Sequence, residues 1–211
     1  MAHNLQQIAS NVYNGKQDKV AALVQQALDE GVAPEEVLTG GLIAAMDEVG
    51  KDFKSGELYV PEVLIAARAM KAGMNILRPL LAESGAPSAG KYLIGTVQGD
   101  LHDIGKNLVR MMLEGAGFEA IDMGVDIKPD AFVAAVREHQ PQVVGLSALL
   151  TTTMGQMKAT IEALEEAGLR DSVKIMIGGA PVTEAFAKEI GADAYAPDAA
   201  TAVDVARSLV G

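Results

Sequence analysis

From residue 92 onward the chain alternates strand-like and helix-like runs, and that alternation leaves few folds open. Short apolar runs at 92–97, 118–123, 143–146 and 173–177, with a shorter one at 192–195, have the length and continuity of strands buried on both faces. Amphipathic runs at 104–114, 130–138, 154–165, 183–190 and 199–209 follow them in turn. Parallel neighbours need a crossover connection, and such crossovers are right-handed. Five such pairs predict an α/β domain of flavodoxin-like type: a doubly wound, five-stranded parallel sheet in the order 2-1-3-4-5.

Everything before residue 85 reads as helix. Val20, Leu23, Val24, Ala27 and Leu28 fall at i, i+3, i+4, i+7 and i+8, one apolar stripe. Pro34 with Glu35 and Glu36 opens another helix, since proline suits the first helical position and carboxylates suit the positive end of the dipole. Leu38, Leu42, Met46, Val49 and Phe53 are expected on its buried face. Gly56 ends that region, and Pro61 opens a helix carrying Leu64, Ala67, Met70, Met74, Leu77 and Leu81. With a short first helix over 5–13, the expectation is an N-terminal four-helix bundle. The run Gly85-Ala86-Pro87-Ser88-Ala89-Gly90 marks a linker, so the expected domains are 1–88, helical, and 89–211, the sheet.

Composition narrows the function. Without cysteine there is neither a disulfide framework nor a thiolate metal site. The net charge of −11 is spread over both halves, with no basic cluster to neutralise phosphates, so no nucleic-acid partner is expected. No apolar stretch approaches the roughly 20 residues that span a bilayer, and polar residues follow Met1, so neither a membrane partner nor a signal peptide is expected. The expected location is the cytoplasm.

The informative loop follows the first strand: Gly99-Asp100-Leu101-His102-Asp103-Ile104-Gly105-Lys106-Asn107. A ligand crevice in an open parallel sheet lies outside the carboxyl ends of its strands, and His102 falls there. A metal-ligating imidazole commonly donates its second N–H to a carboxylate, which Asp100 could supply, while Gly105 permits close approach of a bulky ligand. On this loop alone a second reading stands equally: a histidine capping the next helix, with Asp103 a simple N-terminal carboxylate. The other histidines, His3 near the terminus and His139 at a helix end before Pro141, read as structural or inert.

Two more loops meet the same edge. The third strand runs into Ser147-Ala148-Leu149-Leu150-Thr151-Thr152-Thr153, and the fourth into Gly178-Gly179-Ala180-Pro181. In the order 2-1-3-4-5, strands one, three and four are neighbours, so the three loops surround one cleft.

Together these motifs resemble the corrinoid methyl-carrier proteins of anaerobic methyltransferase systems, and the cobalamin-binding module of methionine synthase. The resemblance rests on Asp100-x-His102-x-x-Gly105, Ser147-x-Leu149 and Gly178-Gly179. In the first half it rests on Val49-Gly50-x-x-Phe53-x-x-Gly56-Glu57-Leu58-Tyr59-Val60-Pro61-Glu62-Val63-Leu64, similar to that family's helical cap. It implies cobalamin (methylcobalamin and cob(I)alamin) bound base-off/His-on. His102 would be the cobalt ligand, with Asp100 on its other ring nitrogen and Asp103, Ile104 and Gly105 completing the loop. The nucleotide tail would be lined by Ser147, Leu149, Thr151, Gly178 and Gly179.

Met46, Val49, Phe53 and Val60 are candidates for the upper face, with plain bundle core as the equal alternative. The implied role is a methyl shuttle, not an autonomous enzyme, and no residues are assigned as catalytic. Its implied partners are a donor-specific methyltransferase, an acceptor methyltransferase working on tetrahydrofolate or a thiol, and a reductive activator, with the linker as hinge. The alternatives are a cobalamin-binding mutase subunit, which resembles this chain only after Gly90, and a cobalamin-dependent regulatory module.

Overall fold

The computed structural model describes residues 2–84 and 88–211, with side chains for 4–81 and 88–211. The His3 side chain and linker residues 85–87 lie outside them, so the linker and hinge expectation falls in part beyond the described residues. The chain divides into two compact units, the second comprising Ser88–Glu114 and Phe118–Gly211.

The first unit is helical: α1 (Ala2–Tyr13), α2 (Gln17–Asp29), α3 (Pro34–Val37), a π-helical turn (Leu38–Ile43), α4 (Ala44–Ser55) and α5 (Val60–Ser84). Because α3, the π turn and α4 run on without a break, the unit has the four-helix plan expected. Pro34 occupies the start of α3, and Gly56 ends α4 in the left-handed conformation at φ 79°. The π turn departs from the expected stripe. A π turn takes an extra residue, so the buried face passes from Val37 to Leu42 and on to Ala45, Met46 and Val49. Leu38 is consequently half-buried, as is Phe53. Tyr13 reaches from α1 to α4, its hydroxyl donating to Asp52 Oδ2 at 2.6 Å.

The second unit contains β1 (Lys91–Thr96), β2 (Glu119–Asp122), β3 (Val143–Ser147), β4 (Lys174–Gly178) and β5 (Ala194–Ala196). The helices are α6 (Ile104–Gly115), α7 (Pro129–His139), α8 (Gly155–Glu166), α9 (Glu184–Ile190) and α10 (Ala199–Val210). The strand order is β2-β1-β3-β4-β5, and every pairing is parallel. Tyr92, Leu93 and Ile94 of β1 and Val143, Val144 and Leu146 of β3 are buried, as central strands covered on both faces require. At the helix starts, Thr183 accepts from Phe186 N and Asp198 accepts from Thr201 N.

This topology sets the site. All five strands end at one edge, and the order reverses between β1 and β3, so the loops leaving those two strands part around a crevice. Thr96, Ser147 and Gly178 are consecutive register partners across β1, β3 and β4 at that edge.

Candidate functional site

The loop from Val97 to Asp103 has no helix or strand of its own and is held by side chains. Asp100, though charged, is buried. Its Oδ1 lies 2.7 Å from His102 Nδ1 and accepts the His102 backbone N–H at 3.1 Å. Its Oδ2 accepts from Thr153 Oγ1 at 2.7 Å, from Leu149 N at 2.8 Å and from Leu150 N at 3.2 Å. One carboxylate thus joins the loop after β1 to the loop after β3. Burial pushes the Asp100 carboxyl upward, but the hydrogen bonds from Thr153, His102 and Leu149 outweigh it and hold the group well below the usual carboxylate range.

An ionised carboxylate only accepts, so the neutral imidazole carries its proton on Nδ1 and its lone pair on Nε2. Nε2 makes no hydrogen bond among the described residues, and the ring is 50% exposed. The His102 carbonyl is fixed as well, accepting from the buried Thr96 hydroxyl at 2.9 Å. The result is a half-exposed imidazole held through both its ring and its main chain.

Around it the surface is apolar and open. Leu101 is 71% exposed and Ile104 79%, and Leu149 and Leu150 are exposed on the neighbouring loop. A Cβ on Gly105 would meet nothing within 4 Å. Gly179, at φ 136°, admits no Cβ, which would collide with the Ala148 carbonyl oxygen. Ser147 and Gly178 sit half-buried at the ends of β3 and β4, and Thr151 is exposed. Asp103 is turned to a local task, its Oδ2 accepting from the Asn107 side chain at 3.0 Å.

Asp100, His102, Asp103, Ile104, Gly105, Ser147, Leu149, Thr151, Gly178 and Gly179 therefore belong to one edge of one unit. Met46, Val49, Phe53 and Val60 belong to the helical unit, where Met46 and Val49 are buried and Phe53 and Val60 half-buried. Sequence reasoning passed over Thr153, which reads as one more hydroxyl in a Ser/Thr run. Tyr59, part of the Val49–Leu64 motif, is 69% exposed beside Val60.

The comparisons agree along the whole chain. Residues 90–204 match a B12 binding domain family, and residues 5–78 match a second B12 binding domain family. Dimethylamine corrinoid protein 1 of Methanosarcina acetivorans is 47% identical over 207 residues, covering 98% of this chain and 97% of that protein. Corrinoid protein DSY3155 of Desulfitobacterium hafniense is 43% identical, with the same coverage. Among solved structures, a cobalamin-binding protein from Desulfitobacterium hafniense superposes with a TM-score of 0.81 at 33% identity, covering 98% of both chains. The methanol:cobalamin methyltransferase complex MtaBC of Methanosarcina barkeri gives a TM-score of 0.88 at 28% identity, covering 99% of this chain and 80% of that one.

Proposed function

The chain belongs to the corrinoid protein family, and from that premise we propose that it is a methyl carrier that binds cobalamin base-off with His102 on cobalt. The observation that carries this reading is the His102–Asp100 pair: a half-exposed imidazole whose Nδ1 is committed to a buried carboxylate and whose Nε2 is free. Among the described residues no group of three or more His, Cys, Asp or Glu could hold a metal ion. His102 offers a single nitrogen, which suits a metal whose remaining ligands come with its cofactor. The exposed leucines and Ile104 and the open space beside Gly105 suit a large, flat, partly apolar group.

Bound cobalamin supplies a metal centre that accepts and releases a methyl group, and the protein supplies position and protection. Asp100 fixes the tautomer of His102 and raises the basicity of Nε2, because it stabilises positive charge on the ring. Thr153 and the Leu149 and Leu150 amides hold Asp100 ionised in its buried position. Ser147, Leu149, Thr151, Gly178 and Gly179, at the ends of β3 and β4, would hold the nucleotide tail of the cofactor. From the helical unit, Met46, Val49, Phe53 and Val60 are the residues proposed to meet the cofactor, Met46 and Val49 being buried in that unit and Phe53 and Val60 half-buried.

As a carrier the chain works between a donor methyltransferase and an acceptor methyltransferase, whose methyl acceptor is tetrahydrofolate or a thiol, with a reductive activator restoring cobalt after oxidation. Among the described residues no helix is long and apolar enough to cross a membrane.

The test is the visible spectrum of the chain reconstituted with hydroxocobalamin, after gel filtration, beside His102→Ala. The expected result is a corrinoid spectrum that elutes with the protein and changes on substitution. A colourless protein overturns cobalamin binding, and a spectrum indifferent to His102→Ala overturns the axial ligand.

A further inference from the structure

We propose that Asp126, which lies outside the Asp-x-His-x-x-Gly loop and follows a different strand, is a positioning residue for His102. It acts by gripping the Gly99–Asp100 turn from the side. The connection after β2 does not leave the sheet at once. It runs along the end of β1, with Thr96 N donating to Gly124 O and Ile127 N donating to Thr96 O, each at 3.0 Å. Asp126 extends this contact beyond the strand. The Gly99 amide donates to Asp126 Oδ1 at 2.7 Å, and the Asp126 amide donates to the Asp100 carbonyl at 3.0 Å. One residue therefore holds two consecutive residues, accepting from the first and donating to the second.

The geometry needs both partners to be unusual. Gly99 sits at φ 80° and Asp126 at φ 56°, both in the left-handed region. Glycine enters that region freely, and aspartate is among the few side chains that tolerate it. Aspartate also brings an acceptor short enough to reach the amide across the turn. The grip matters because the backbone of Asp100 is the base from which its carboxylate reaches His102 Nδ1 and Thr153. A shift of the Asp100 main chain moves the group that fixes the imidazole tautomer. The role deepens the reading of His102 as axial ligand and rests on it.

If Asp126 served only to make a left-handed turn, glycine would do as well. Asp126→Gly keeps the conformation and removes the acceptor, and Asp126→Asn keeps the conformation and a neutral acceptor. The measurement is made on the full ¹⁵N-labelled chain without cobalamin, reading Gly99 amide exchange and the His102 ring nitrogen shifts. For Asp126→Gly the expected result is Gly99 exchange faster by about tenfold, the scale of one charge-assisted hydrogen bond, with His102 moving from a single Nδ1–H tautomer to a mixture. Asp126→Asn is expected to speed Gly99 exchange only about threefold, as a neutral acceptor would, and to leave the His102 shifts at their wild-type values. Unchanged His102 shifts in Asp126→Gly overturn the proposal. So does a displacement of the His102 shifts in Asp126→Asn, which remains readable if the glycine variant does not fold. Because no cofactor is present, a wild-type chain that fails to retain cobalamin counts against the methyl-carrier reading and not against this one.

Discussion

Asp100 and His102 meet twice at one oxygen: Oδ1 faces the ring Nδ1 at 2.7 Å and accepts the backbone N–H of the same residue at 3.1 Å. Ring orientation and main-chain path are therefore a single constraint. Asp100→Ala removes it and also strips the acceptor from Leu149 N and Leu150 N, while Thr153 Oγ1 keeps the Leu150 carbonyl at 2.9 Å. Leaving such donors without partners costs about 1–3 kcal/mol each where they stay buried. The expected outcome is a loss of about 3 kcal/mol in urea unfolding, together with weakened His102 ligation in the visible spectrum. A variant as stable as wild type would show that the five contacts are not formed together in solution.

Thr153→Val is a narrower test, since it keeps the shape and deletes one hydroxyl. That hydroxyl donates to a charged oxygen from a buried position, so the expected loss is about 1.5–3 kcal/mol, with Thr153→Ser recovering most of it. Chemical denaturation of the three proteins side by side gives the answer. Equal midpoints for all three would remove Thr153 from the network.

Gly179 supplies a prediction that depends on sterics alone. Its φ of 136° suits glycine, and a Cβ there runs into the Ala148 carbonyl oxygen, a backbone atom that cannot rotate away. Gly179→Ala is expected to cost at least about 2 kcal/mol and to displace the loop after β3, read as a lower melting temperature and weaker cofactor retention. Gly105→Ala is the control: with nothing within 4 Å of the new methyl, the apo protein should melt as wild type does.

In the helical unit, the hydrogen bond to the Asp52 carboxylate is the main reason the Tyr13 hydroxyl is pushed up from 10.0 to about 12. Below the unfolded value near 10 both states keep the proton, and the bond contributes fully. As pH rises from there toward the folded value, unfolded chains lose the proton while native ones hold it, so the contribution fades. Thermal melts of wild type and Tyr13→Phe should therefore differ most at pH 8 and converge above pH 11. A gap that is constant with pH would place the hydroxyl elsewhere than on Asp52.

The strand order and the placing of His102 follow from a coarse signal: apolar runs, helical runs and the edge where parallel strands end. The Asp100–His102 pair was legible because two residues apart in one tight loop can hardly avoid each other. Thr153 is 53 residues from Asp100 and reaches it only through the particular fold of the loop after β3. Asp126 is 26 residues from Asp100 and meets it only because the connection after β2 runs along the end of β1. The π turn was hidden for another reason. Leu38 and Leu42 stand at ordinary helical spacing, and only packing decides that Val37 takes the buried place instead.

Two of the contacts that hold Asp100 come from the main chain of Leu149 and Leu150, whose side chains stand exposed. An amide offers the same proton whatever residue carries it, save proline. The loop can therefore exchange its side chains to suit a different ligand surface while the socket beneath His102 keeps its shape. Variation in what the edge touches is separated, bond by bond, from constancy in how it holds.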